Sequence, residues 1–261
     1  MADKTKIEWT DATWNPVRGC VKVSPGCKNC YAETFAERWR GIAGHPYEQG
    51  FDPRIVPEKL GEPLRWQKGR RVFVNSMSDL FQEAVPDDYI ARVFSVMSRA
   101  KQHVFQVLTK RSARMRGWTS CVAYGLRVWP LPNVHLGVSV ENPDQKKRIE
   151  HLRRTPAAVR FLSLEPLLED LGTLDLTGIH WVIVGGESGP GARPCNLKWI
   201  RDIVRQCRAA GVACFVKQLG SKPEEVVTAP SDGHQWNRRV VLKDRKGGNP
   251  AEWPEDLRVR Q

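Results

Sequence analysis

Short apolar runs recur along the chain, each ending in polar residues. They span residues 71–75 (RVFVN), 104–109 (VFQVLT), 134–140 (VHLGVSV), 159–164 (VRFLSL), 180–186 (HWVIVGG) and 213–218 (ACFVKQ). Runs this short and this continuous predict strands buried on both faces, as in parallel sheets. A further strand is expected at residues 12–18. Between the runs the period changes to that of a helix. Residues 87–101 place Ile90, Val93, Phe94, Met97 and Ala100 on one face. Asn142-Pro143 reads as an N-cap followed by proline at the first helical position. Asn196 precedes a second amphipathic stretch with Ile200, Ile203, Val204 and Cys207 inward and Gly211 as its C-cap.

Alternating strands and helices predict an α/β fold with a parallel sheet and right-handed crossovers. Six or seven such units in 261 residues match a (β/α) barrel, partial or closed. A doubly wound open sheet is the alternative. The barrel is expected over residues 1–219. Residues 220–261 are rich in proline and glycine and read as a flank or lid. A hairpin or arm is expected at 238–249, anchored by Trp236 and Trp253.

In either architecture the carboxyl ends of the strands form the active face. Asn75, Ser76, Asp79, Lys110, Ser139, Glu141, Glu165, Glu187 and Ser188 would gather there. Helix capping after a strand is the ordinary role of such residues, so the argument rests on the set.

Composition narrows the class. Hydrophobic residues make up 41% of the chain and charged residues 27%, enough for a packed core. No stretch has the length and apolarity of a membrane span, and the N-terminus lacks the apolar core of a signal peptide. A cytoplasmic protein without membrane attachment is expected. A net charge of +12 favours a polyanionic partner, nucleic acid or a nucleotide-like substrate. The basic stretches 110–116 and 146–154, with Arg153 and Arg154, are candidate phosphate contacts, and Trp118 and Trp129 candidate stacking platforms. A solvated helix face and core packing are the ordinary readings of both.

There are seven cysteines. Cys207 and Cys214 read as small core hydrophobes. Cys20, Cys27 and Cys30 form C-x6-C-x2-C, in a loop bent by Gly19, Pro25 and Gly26, with Lys22 and Lys28 beside the thiols. Two cysteines two residues apart turn their thiolates to one soft metal, and a third joins through the loop. A structural zinc site wants four ligands, and no histidine or fourth cysteine lies close in sequence. Three thiolates on a [4Fe–4S] cluster leave one iron open to a small molecule. The arithmetic favours a reactive cluster. A remote fourth ligand such as Cys195 would restore zinc.

The block Trp9-Thr10, Thr13-Trp14-Asn15-Pro16, Gly19-Cys20, Cys27, Cys30-Tyr31-Ala32 resembles the opening of the phage Gp37/Gp68-like family, a family of unknown function. So do LTKR at 108–111, GVSVEN at 137–142, LSLEPLL at 162–168, GGESGPGAR at 185–193 and KQLG at 217–220. That family is in turn similar to radical S-adenosylmethionine (SAM) enzymes of the DNA-photolyase-like and spore-photoproduct-lyase-like branch. The resemblance implies a [4Fe–4S] cluster on Cys20, Cys27 and Cys30, SAM on the open iron, and an external electron donor. It also implies a 5′-deoxyadenosyl radical that abstracts hydrogen, with repair or modification of nucleic acid as the expected outcome. A "three-Cys-motif partner" protein is a possible associate. On this reading Asn75, Ser76 and Asp79 bind the methionine amino group, and Lys110 or Arg111 its carboxylate. Ser139, Glu141 and Glu165 reach the ribose, and Gly185, Gly186, Glu187 and Ser188 line the adenine or substrate side. Glu187 and Cys195 are the candidate catalytic groups, Cys195 as a hydrogen donor or relay. The spacing departs from the superfamily's C-x3-C-x2-C, and Asn75-Ser76 stands where a second-strand Gly-Gly-Glu is expected. A cluster- or zinc-stabilised nucleic-acid-binding module without catalysis, and a radical enzyme for a small metabolite or protein, are the competing classes.

Overall fold

The computed structural model describes residue 5 and residues 7–122 and 129–261. The chain divides into two compact units, Met1–Val138 with Glu150–Arg160, and Ser139–Ile149 with Phe161–Gln261.

The first unit carries four parallel strands in sequential order: β1 (Ala12–Trp14), β2 (Arg71–Val74), β3 (Val104–Thr109) and β4 (Val134–Ser139), the last ending at the unit's boundary. Helices α1 (Tyr31–Glu37), α2 (Asp87–Arg99) and α3 (Ser112–Val122) connect them, and α4 (Lys147–Arg153) follows β4. The expected inward face of α2 is buried throughout. The strand expected at 12–18 breaks at Asn15-Pro16, because proline has no N–H for the ladder. Val17–Arg18 leaves the sheet and pairs antiparallel with Arg54–Ile55.

The second unit carries β5 (Val159–Leu164), β6 (Trp181–Gly185) and β7 (Ala213–Gln218), again parallel and sequential. Helix α5 (Leu197–Ala209) makes the crossover from β6 to β7. Asn196 caps it as expected, its Oδ1 accepting from the Lys198 amide at 2.9 Å. Gly211 follows the helix with φ +65°. Asn142 does not cap through its side chain; a 3-10 turn, Pro143–Gln145, follows it before α4 begins.

Neither unit reverses its strand order, which is winding of the barrel kind; a doubly wound sheet reverses at a switch point. The fold is α/β and compatible with a partial (β/α) barrel.

The hairpin of the C-terminal segment forms earlier than expected. Pro223–Thr228 pairs antiparallel with Gln235–Arg239 and parallel with Cys195–Asn196. Trp253 is buried and donates from Nε1 to the Gly247 carbonyl at 3.0 Å. Trp236, expected to be the second anchor, is instead exposed on the hairpin itself, where its ring stacks on His234 with centroids 6.1 Å apart. Among the described residues, no helix is long and apolar enough to cross a membrane.

Candidate functional site

The cysteine loop begins where β1 ends. Trp14 is fully buried and its Nε1 donates to the Lys59 carbonyl at 2.8 Å. The chain then turns at Gly19, which has φ +72° and lies so close to residue 52 that a Cβ would sit 2.2 Å from the Asp52 carbonyl oxygen. Only glycine fits there. Cys20 follows at once, its amide bonded to the Phe51 carbonyl at 3.1 Å. Pro25–Cys27 is a single 3-10 turn, and Cys30 occupies the N-cap position of α1. All three thiols are free and half-buried. Cys20 and Cys30 pack on one apolar cluster, Ala32, Ala36 and Phe51, together with Met77.

Cations stand beside the thiols. Lys22 pairs with Glu33 at 2.7 Å. Its ammonium is held above its ordinary pKa by Glu33 first, with the Cys30 and Cys27 thiols adding to the effect. Arg111 is buried and its Nη1 lies 3.5 Å from Cys20 Sγ. Burial pushes the Cys20 thiol up to about 11, the Asp79 charge adds to this, and Arg111 opposes it. Among the described residues, no group of three or more His, Cys, Asp or Glu side chains is arranged to hold a metal ion. Ligation by the three thiols therefore requires them to turn toward a common centre.

The segment after β2 clamps this loop. Asn75 has φ 60°, a left-handed backbone uncommon for residues other than glycine. Its Oδ1 accepts from the Val17 amide at 3.3 Å, while its buried Nδ2 has no hydrogen-bond partner among the described residues. Ser76 Oγ lies 3.3 Å from the Asn15 side chain. Gln82 Nε2 donates to the Gly19 carbonyl at 2.8 Å. Asp79 is already saturated: Thr109 Oγ1 at 2.7 Å, the Phe81 amide at 2.9 Å, the Lys110 amide at 3.0 Å and Arg111 Nη1 at 3.2 Å all donate to it. Arg111 is likewise occupied, by Asp79, Glu83 at 3.1 Å and the Val21 carbonyl at 2.9 Å. These two position the cysteine loop instead of offering free groups to a ligand. Lys110 is half-buried, and among the described residues its ammonium has no ion-pair partner.

The other candidates belong to the second unit. Glu141 is buried against Arg148 at 2.8 Å, and the same nitrogen donates to the Ser139 carbonyl at 2.9 Å. Glu165 pairs with Lys217 at 3.0 Å. Glu187 accepts from the Arg193 side chain at 2.5 Å and from the Arg193 amide at 2.9 Å. Ser188 is half-buried beside it. Gly185 and Gly186 do serve close approach, but to the neighbouring strand end: a Cβ on Gly186 would meet the Leu219 carbonyl oxygen at 2.4 Å and Cys195 Cβ at 2.9 Å. Cys195 is fully buried and its thiol is pushed up to about 12 by that burial. Packing, not substrate contact, accounts for it. Cys207 and Cys214 are core residues as expected.

Residues expected to meet nucleic acid are engaged elsewhere. Trp118 is buried against Phe94, with ring centroids 4.8 Å apart, and Trp129 packs on the same ring at 5.6 Å. Arg153, at the end of α4, and Arg154, just beyond it, both pair with Glu150 of that helix, Arg154 at 2.6 Å. Arg114 donates to the Gln82 and Val85 carbonyls and pairs with Asp87 at 2.6 Å. The basic residues that do line a cavity are others, Lys59 to Arg70, in a stretch without hydrophobic period. With Asn15, Tyr31, Ser76 and Met77 they surround about 990 Å³.

One family model, described as a protein of unknown function (DUF5131), matches residues 4–245. No curated protein and no solved structure matches the chain.

Proposed function

Because the chain belongs to the DUF5131 family, whose function is unknown, we propose on the strength of its own residues that it is a [4Fe–4S]-dependent radical SAM-like enzyme that repairs or modifies nucleic acid. The observation that carries this reading is the cysteine loop. Three free, half-buried thiols follow the first strand of a parallel sheet, on a loop tied down by Gly19, Arg111 and the residues after β2. Thiolates are the soft donors that iron–sulfur clusters take, and a set of three leaves one iron open. The donor set therefore fits the group. Cys20, Cys27 and Cys30 would hold the cluster, which when bound would pass one electron from an external donor to SAM for its reductive cleavage to methionine and a 5′-deoxyadenosyl radical.

The chain's own part is binding and positioning. To meet SAM, the buried Asn75 Nδ2 and the Ser76 Oγ now held by the Asn15 side chain would have to turn toward its methionine end, and the half-buried Lys110 ammonium toward its carboxylate. The unpartnered Nδ2, held on a left-handed backbone, is the kind of local strain that accompanies ligand sites. Asp79 and Arg111 act as positioning residues. The net charge of +12 supports a polyanionic substrate. An external electron donor is required, and a three-Cys-motif partner protein is a candidate associate.

The test is to purify the protein anaerobically, reduce it in the presence of SAM and measure 5′-deoxyadenosine. Formation of the nucleoside is the expected result. Iron and sulfide without the nucleoside would remove SAM cleavage and leave cluster binding. A colourless zinc protein would remove both.

A further inference from the structure

The cavity of about 990 Å³ opens beside the candidate cluster loop. Tyr31, the neighbour of Cys30, lines it, as does Met77, which packs with Cys20 and Cys30. Its lining also includes Arg70, immediately before β2, and Ser76, in the turn that follows it. Thr13 of β1 and Asn15 just beyond it line the cavity too, and among the described residues of this unit β1 pairs with β2 alone.

Its lining is strongly one-sided in charge. Among the described residues, Arg18, Lys59, Arg65, Lys68 and Arg70 face it against one carboxylate, Glu62, which Lys59 already holds at 2.5 Å. Arg65 and Lys68 are exposed and, among the described residues, neither has an ion-pair partner. Aromatic rings are interleaved with these cations. Tyr31 is 62% exposed and Phe35 42% exposed, four residues apart on one face of α1. Phe35 stands edge-on to Tyr47 at 5.5 Å, and the Arg18 guanidinium lies 5.2 Å over the Tyr47 ring. Arg70 lies 5.3 Å over Trp66. Exposed rings, Tyr31 and Phe35, in one cavity with the exposed cations Arg65 and Lys68 are what an unstacked nucleotide chain satisfies, bases on rings and phosphates on cations. A duplex keeps its bases stacked and offers the rings nothing. An acidic peptide would neutralise the cations but leave the aromatic faces bare.

We propose that this cleft binds a single-stranded segment of nucleic acid, with phosphates at Arg65 and Lys68 and a base against Tyr31 and Phe35, next to the cysteine loop. The inference deepens the proposed function and rests on it for the chemistry, but not for binding.

The test is fluorescence anisotropy with a labelled single-stranded DNA of about 12 nucleotides, the RNA of the same sequence, and the DNA duplex. Single strands bind, and the duplex binds at least about tenfold more weakly. Arg65→Ala with Lys68→Ala weakens binding and lowers the slope of log affinity against log salt by about 1.4, two phosphates at roughly 0.7 each. Phe35→Ala weakens binding by about 5- to 100-fold with the salt slope unchanged. Lys101→Ala, outside the cavity, changes neither. Circular dichroism confirms that the variants fold. Absence of single-strand binding, equal binding of duplex, full competition by AMP alone, or affinities unmoved by both variants would each overturn the proposal. The titrations are run on iron-free protein as well. Strand binding by a chain that never takes up iron would sink the cluster reading alone. Iron and 5′-deoxyadenosine without strand binding would sink the cleft alone.

Discussion

Glu141 separates a structural role from a cofactor-binding one. Its side chain is 0% exposed and that of Arg148 is 5% exposed, and they meet at 2.8 Å. Arg193 also feels the Glu141 charge. Glu141→Ala leaves the Arg148 guanidinium buried, still donating to the neutral Ser139 carbonyl at 2.9 Å but without its carboxylate. Removing one partner of a buried pair costs about 3–5 kcal/mol, because the surviving charge is neither hydrated nor neutralised. At about 1.4 kcal/mol per decade, the unfolding constant should rise between a hundredfold and a few thousandfold. Replacing both partners, Glu141→Leu with Arg148→Met, should recover most of that loss, since no charge is then left buried. Urea unfolding monitored by tryptophan fluorescence reads both, with the m-value constant if only stability changes. A Glu141→Ala midpoint shift equivalent to less than about 1 kcal/mol would refute the reasoning. Weakened SAM binding at unchanged stability would return Glu141 to the ribose.

Gly186→Ala should destabilise the protein by about 1–3 kcal/mol or more in a thermal melt, because its Cβ would sit 2.4 Å from the Leu219 carbonyl oxygen. Gly117→Ala, inside α3 with nothing near its Cβ, should instead stabilise by about 0.5–1 kcal/mol, and equal effects of the two substitutions would contradict the packing argument. His103 is fully buried; its Nδ1 accepts from the Arg70 amide at 3.2 Å and its Nε2 donates to the Pro63 carbonyl at 3.0 Å. Burial lowers its pKa, so the neutral ring stabilises the fold above the unfolded value of about 6.5, and that stability is lost as pH falls through the folded value. Urea midpoints of the wild type should therefore drop more on acidification than those of His103→Gln, and parallel curves would show that the ring does not titrate against folding.

The strands were legible because burial on both faces demands continuous apolar runs. Val104–Thr109, Val159–Leu164 and Ala213–Gln218 have the expected limits. The strand at residues 12–18 was overread, since Pro16 interrupts an otherwise suitable run and sends Val17–Arg18 to another partner. The polar strand tips were legible as a set, but not their division of labour. Nothing in the letters says that Asp79 already has four donors, or that Gly185 and Gly186 make room for the end of β7. Trp118 and Trp129 have the letters of stacking platforms and the packing of core residues. The cationic cleft was illegible for a different reason. Residues 59–70 have no period, and Arg65 and Lys68 acquire meaning only beside Tyr31 and Phe35, which lie far away in sequence.

The most direct test of the central claim is the iron and acid-labile sulfide content of the anaerobically reconstituted protein, measured for wild type, Cys27→Ala and Cys214→Ala. The account predicts about four iron and four sulfide per chain for a [4Fe–4S] cluster, retained in Cys214→Ala and lost in Cys27→Ala. Iron content that is unchanged in Cys27→Ala, or one tightly held zinc in place of iron, would contradict it.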